Sequence, residues 1–344
     1  MTASLKSYHP TMAQGVPRRH HYVPQFYLEY FATRRKGGEP GFWVYDRGGS
    51  PPREATPLGT AAKRDLYTFF TPTGEKDTSL ETQLFSRVEG WTKPILDKWI
   101  QHPGVRLTKS DVEMVALFIA LQYIRVPRTI NAGKEAEEKF VLEWWKLMGR
   151  QPAEVEKMWD QFGKKSAAWA SIDEFREQIQ NFNKYFKLEG DQKQALLMSL
   201  QQVQEIHEHI MKLVPQILIS PSGNFYATSD APVNVFVPTG NKTALFGAGF
   251  GLEKVEIVFP FSPSLALFFS RQGIPGWFKI RGNAVIEYNR RCVAYAERFV
   301  ISPYESHRIA RFIEEFSDRY GKPRVNTEET IRTVEKLFAS KEAE

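Results

Sequence analysis

SDVEMVALFIALQYIRVPRT, residues 110–129, is the stretch on which the fold turns. From Val112 to Val126 the residues are apolar almost without a break. The spacing predicts a helix that is apolar nearly all round, as a helix buried in a protein core is and a surface helix is not. The run falls short of the ~20 apolar residues that span a bilayer. Ser110-Asp-Val-Glu113 has the form of a capping box, and Pro127 ends or kinks the helix. Two residues break the pattern. At 100° per residue Gln122 falls among Val115, Phe118, Ile119 and Val126, and Arg125 lies on the edge of that face one turn further. A buried amide without a partner costs about 1–3 kcal/mol. A buried arginine needs a carboxylate or an anionic ligand, and Asp65, Glu89 and Asp230 are the carboxylates considered.

Outward from this helix the chain changes character twice. Residues 1–17 read as a flexible leader. Pro24 suits the first turn of a short helix carrying Phe26, Tyr27, Tyr30 and Phe31, and 41–47 and 64–78 read as strands. A helical section follows over about 78–214. It opens at a second capping box, Thr78-Ser-Leu-Glu81, has Pro94 near the end of its first helix, and continues with helices at 135–149, 152–165, 173–188 and 191–214. From Pro215 to about 302 the pattern is of short β-rich runs split by Gly and Pro, GNAVIEYNRRCVAYAERFVISP among them. These predict a mostly antiparallel sheet. Closing helices are expected at 304–320 and 327–341. The order is that of an α+β fold: short helix and strands, helical section with one buried helix, sheet, closing helices. One α+β domain is expected over 18–320, with a helical tail at 321–344.

The 344 residues carry a net charge of +6. Residues 1–64 hold ten Lys/Arg against four acids, an excess equal to that of the whole chain, so the remainder is neutral. A local positive field attracts phosphates and other anions. The single cysteine, Cys292, excludes an internal disulfide framework and a cysteine-rich zinc site. With no apolar h-region at the N-terminus, a cytoplasmic protein without a membrane partner is expected. No Walker-type phosphate loop or GxSxG elbow occurs, and His207 and His209 of HEH stand at i, i+2 on a helix and face apart.

RRHHYVPQFYLEYFA at 18–32, FIALQYIRVPRT at 118–129 and YATSDAPVNVF at 226–236 resemble the family of domain of unknown function 4238. DLYT at 65–68, the LExxLxxxE pattern from Leu80 to Glu89 and PFSPSLAL at 260–267 fit as well, so the resemblance runs from about Arg18 to Ser302. Glu29 and Ala231 depart from the residues common at those places. The resemblance implies a family and carries over no catalytic residue.

The candidate site is therefore assembled from the residues themselves. Arg18, Arg19, Gln25, Gln122, Arg125 and Arg128 are the expected anion-binding residues, because guanidinium forks match phosphate and carboxylate. His20 and His21 precede the helix that Pro24 starts, and an imidazole there is suited to proton transfer. Alternation along an extended segment points one of the two inward, so one faces the site and the other is structural. Asp230 and Glu89 are the candidate acids, and Asp65 with Asp230 the candidate metal ligands for a divalent ion, Mg or Mn. Glu81, at the third position of a capping box, has a structural task. Cys292 reads as a buried hydrophobe inside a strand. The function these residues suggest is a hydrolase acting on a phosphodiester, in nucleic acid or a nucleotide. The alternative is a non-catalytic module that binds nucleic acid or protein through its basic N-terminal quarter. An enzyme requires His20 or His21, Arg125 and Asp230 to meet; a binding module leaves Arg125 and Asp230 in a private ion pair.

Overall fold

The computed structural model describes residues 19–34, 39–70, 73–166, 168–238 and 249–316. The leader, Arg18, Arg35, Lys36 and the closing helix expected at 327–341 lie outside them. The helix of the decisive stretch is present as α3 (Lys109–Arg125), preceded by α1 (Gln25–Glu29) and α2 (Ser86–Gln101). Pro127 takes the first position of α4 (Pro127–Arg150), where a missing N–H costs nothing, and Val126 between the helices is extended, as a residue before proline prefers. α5 (Pro152–Gln161), α6 (Ile172–Gln180), α7 (Phe182–Tyr185), α8 (Gln192–Gln201) and α9 (Val203–Met211) complete the helical section.

Two five-stranded sheets carry the β structure. The first runs β10 (Asn234–Phe236), β11 (Glu256–Ser262), β12 (Leu265–Ser270), β8 (Val214–Ile219) and β13 (Gly276–Lys279), and only the β8–β13 pair is parallel. The second runs β2 (Thr33–Arg34), β3 (Pro40–Asp46), β14 (Phe299–Ser302) and β9 (Thr228–Ser229), with β4 (Arg53–Ala55) on β3. β14 pairs antiparallel with β3 from Phe299 opposite Asp46 to Ser302 opposite Trp43, so the last strand of the described residues closes onto one of the early ones. β1 (Arg19–His21) pairs with β5 (Ala62–Arg64), and β6 (Phe69–Phe70) with β7 (Lys76–Asp77). The fold is α+β, with helices and strands segregated along the chain.

α3 is buried on most sides, and Phe118 meets Phe259 of β11 edge-on at 5.9 Å. Tyr27 stacks on the same Phe259 at 5.1 Å, and Trp99 of α2 meets Phe261 at 6.1 Å. Helices and first sheet thus share one core, each buried large side chain contributing about 1.5–3 kcal/mol.

Several expectations are corrected. GNAVIEYNRRCVAYAERFVISP is not strand throughout: residues Gly282–Tyr295 form α10, and only Phe299–Ser302 is strand. Its β-branched and aromatic residues suggested a strand, but Val285, Asn289, Cys292 and Val293 are buried at helical spacing. Cys292 is accordingly a helical residue, and burial pushes its thiol up to about 12. The cap of α3 is Thr108, whose hydroxyl accepts from the Asp111 amide at 3.2 Å, in place of Ser110. The Thr78–Glu81 box does not form; Asp77 accepts from the Ser79 amide at 2.8 Å, and a π-helical turn, Leu80–Phe85, leads into α2, which runs past Pro94 to Gln101. The expected helix at 304–320 is described as α11 (His307–Phe316).

Candidate functional site

The strand Arg19–His21 alternates as strands must: His20 faces inward and is buried, while His21 on the other side is half-buried. His20 Nδ1 accepts from the Tyr67 amide at 2.9 Å, and the two rings stack at 5.6 Å. The Tyr67 hydroxyl donates to the carbonyl of Arg125 at 3.0 Å. Gln122 donates to the Tyr22 carbonyl at 2.8 Å, and its Oε1 accepts from Arg125 Nε at 2.9 Å and Nη2 at 2.6 Å. Arg125 Nη1 donates to Glu89 Oε1 at 2.7 Å, and the guanidinium lies over the Phe85 ring. Arg125 is 1% exposed, so its charge is answered internally by Glu89 and not by a ligand.

Four sequence-separated segments that carry the resemblance, 18–32, 65–68, 80–89 and 118–129, meet in this cluster. Glu81 belongs to it and was missed, because its place in an apparent capping box hid it. With the box unformed, its Oε2 is buried with no hydrogen-bond partner among the described residues. Burial pushes its carboxyl up to about 7, with Arg125 opposing and Glu89 adding to the rise. His21 Nε2 lies 3.3 Å from the Leu58 carbonyl, and burial holds the imidazole below its ordinary value.

Asp230 is fully buried elsewhere. Its two oxygens accept from the amides of Glu297 at 2.9 Å and Arg298 at 2.8 Å, which fixes the turn after β9 to the entry of β14. Burial pushes its carboxyl up to about 7 despite those bonds. It is paired with neither Arg125 nor a histidine. Asp65, at φ +52, lies 3.5 Å from Arg64 and 3.6 Å from Lys76. Among the described residues no three His, Cys, Asp or Glu side chains come together to hold a metal. Gln25 donates to Glu29 at 3.0 Å, and Arg19 to the Gly59 carbonyl at 3.0 Å. α1 has five residues, too few to present an anion-binding N-terminus beside the histidines. In the basic quarter, Arg47 donates to the Ala296 carbonyl and Arg53 and Arg64 pair with Asp46 and Asp65.

Arg128 stands apart from all of these. It lies in the first turn of α4, its Cζ 4.1 Å from the centre of the Tyr295 ring. Its Nη1 is buried and has no hydrogen-bond partner among the described residues. It lines a pocket of about 480 Å³ with Tyr123, Glu205, His209, Phe250 and Tyr295, among others. Tyr123 of α3 meets Phe250 edge-on at 4.7 Å, and burial pushes its hydroxyl well up, with Tyr295 adding and Arg128 opposing. His209 Nε2 lies 3.6 Å from Glu205 Oε1, one turn apart on α9. A Cβ at Gly251 would come within 3.3 Å of His209 Cε1, so the glycine leaves room for the imidazole. The HEH motif thus divides as its spacing requires: His207 lies 3.3 Å from the Glu113 carbonyl, and His209 lines the pocket.

Among the described residues no helix is long and apolar enough to cross a membrane. The family model described as "Protein of unknown function (DUF4238)" matches residues 19–306, most of the chain. No curated protein and no solved structure matches.

Proposed function

We propose that this chain, which belongs to the family described as protein of unknown function (DUF4238), binds a small phosphate-bearing organic molecule in the pocket at the junction of α3 and α4. A mononucleotide is the representative case. The observation that carries this reading is Arg128 itself, a residue of that pocket's wall whose Nη1 is buried with no hydrogen-bond partner among the described residues. A buried N–H of a cation without an acceptor is costly, and an oxyanion in the pocket would satisfy it. Arg128 also stands in the first turn of a helix that runs to Arg150, where the helix dipole favours negative charge.

The volume supports a small molecule over a duplex, since ligand pockets span about 300–1,000 Å³. Phe250, Ile206, Ala132 and Ala136 supply apolar wall for an organic body, and the Tyr123 and Tyr295 side chains add hydroxyls beside the guanidinium. Of the expected anion-binding residues this reading keeps Arg128 and sets aside Arg125, which is answered by Glu89.

Calorimetric titration with AMP, a 2′,3′-cyclic mononucleotide, inorganic phosphate and an organic carboxylate tests it, with Mg²⁺, Mn²⁺ or EDTA in separate arms to test the divalent ion. The expected result is saturable nucleotide binding that weakens about 10- to 100-fold in Arg128→Gln, the loss of one charge-assisted pair. Failure of every phosphate compound to bind, or equal binding by the variant, overturns the reading.

A further inference from the structure

We propose that the same pocket hydrolyses a phosphodiester bond of its ligand, with His209 as the proton acceptor and Glu205 as the residue that positions it. The inference rests on the binding reading above and adds a reaction to it. Glu205 and His209 are four residues apart on α9, and the contact runs from Glu205 Oε1 to Nε2 at 3.6 Å. At that distance the carboxylate is an ion-pair partner for the imidazolium that forms when the ring takes up a proton, and so holds the ring in place as it does. No hydrogen bond to Nδ1 is found among the described residues. The ring is confined on one side by Gly251, whose carbonyl accepts from Arg271 Nη2 at 3.1 Å. A methyl group at Gly251 would stand 3.3 Å from Cε1, so the imidazole would have to shift by a few tenths of an ångström to admit it.

The pocket thus combines what phosphoryl chemistry needs from a protein: a cation for the charge that develops on the phosphoryl oxygens, and a base for the attacking water. In the reaction, His209 Nδ1 takes a proton from water as the water oxygen bonds to phosphorus. The ester P–O bond breaks with its electron pair on the leaving oxygen, which is protonated by solvent, and the imidazolium returns its proton to solvent. One water is consumed, and an alcohol and a phosphate monoester result. No oxidant or further reactant enters.

The test measures turnover of 2′,3′-cyclic mononucleotides and of bis(p-nitrophenyl) phosphate by the wild-type chain and by His209→Gln, Glu205→Gln and Glu205→Asp, alongside calorimetric binding and thermal melts. We expect turnover that falls about 10²- to 10⁴-fold in folded His209→Gln with binding retained. We expect Glu205→Gln to lose about tenfold and to shift the limb of the pH–rate profile that reports His209, with Glu205→Asp restoring most of the rate. A wild-type chain that binds these compounds without turning them over overturns hydrolysis and leaves the binding reading standing. Turnover unchanged in His209→Gln overturns His209 as the base. If no phosphate compound binds at all, the binding reading falls and hydrolysis with it. Where His209→Gln melts far below wild type, Gly251→Ala supplies the second variant. It crowds the imidazole without removing it, and an unchanged rate in that variant overturns the assignment as well.

Discussion

At the scale of single residues, the molecule contains charges that are answered and charges that are not. Arg125 shows the first condition. Its guanidinium is satisfied by Gln122 and Glu89 and covered by Phe85, so its task is to tie α3 to α2. Glu81 shows the second. Burial pushes its carboxyl from near 4.5 up to about 7, so the folded chain holds that proton more tightly than the unfolded chain does. The sign follows from linkage. The stabilisation is complete below the unfolded value, and it is lost as pH rises through about 7. Glu81→Gln keeps the group neutral at every pH. Urea denaturation of the two proteins at pH 4.5, 6 and 8 should therefore show near-equal stability at the lowest pH and a variant more stable by about 1–3 kcal/mol at the highest. A difference that does not change with pH would refute the account. At this scale the sequence was legible where a polar residue interrupted an apolar face, which is how Gln122 and Arg125 stood out. It misled at Glu81, because Thr78-x-x-Glu81 has the spacing of a capping box and nothing local reveals that the Glu81 amide goes to the Thr78 backbone carbonyl, at 3.1 Å, and not to its hydroxyl. It gave His209 no pocket, because that pocket is made by segments distant in sequence, around Arg128, Phe250 and Tyr295.

Among the elements, α3 shows how far local rules reach. Its apolar surround identified it as the central helix, and its end at Arg125 followed from Pro127. Its start did not, since Thr108 and Ser110 are both good caps and only the geometry of the entering chain selects between them. Thr108 is extended, at φ −79 and ψ 151, and its hydroxyl accepts from the Asp111 amide. Thr108→Ala should cost about 1 kcal/mol, whereas Ser110→Ala, on the exposed first turn, should stay within about 0.5 kcal/mol. Chemical denaturation of both variants decides, and equal effects would return the cap to Ser110. α10 marks the opposite limit. Val, Ile and Tyr are enriched in strands because they fit a half-buried pleated surface, yet in α10 the same residues bury a helical face against β9 and β10. Composition and periodicity disagreed there, and periodicity was the better guide. β11 and β12 were legible because their hairpin is local: they pair across a two-residue turn, with the register shifting between Pro260 and Ser262.

For the molecule as a whole, the packing divides into one large core and smaller ones, and the division has a consequence for motion. Met148, Val155, Met158, Phe175 and Ile179 form a core separate from the one around α3, with Trp144, Trp145, Trp159 and Trp169 packed around it. The helices that own it, α5 and α6, are held to the remainder through the second half of α4. A unit joined to a larger core along one helix can open without unfolding that core. α4 and α6 come close at Gly149, where a Cβ would stand 2.8 Å from Gln180 Cγ and 3.1 Å from the Gln180 backbone nitrogen, and where Gln180 Nε2 donates to the Gly149 carbonyl at 2.7 Å. Glycine to alanine within a helix normally gains up to about 1 kcal/mol. Here the added methyl meets backbone, which cannot swing aside, and overpacking costs about 1–3 kcal/mol. The loss exceeds the gain, so Gly149→Ala should loosen α6 from α4. In native-state hydrogen exchange, amides of α5 and α6 should exchange through an opening smaller in free energy than that of α3. Gly149→Ala should accelerate them about 5- to 30-fold, the factor that 1–2 kcal/mol represents, and leave α3 unchanged. Equal protection of α3 and α6 in the wild type, or acceleration of both together in the variant, would show that the two cores open as one.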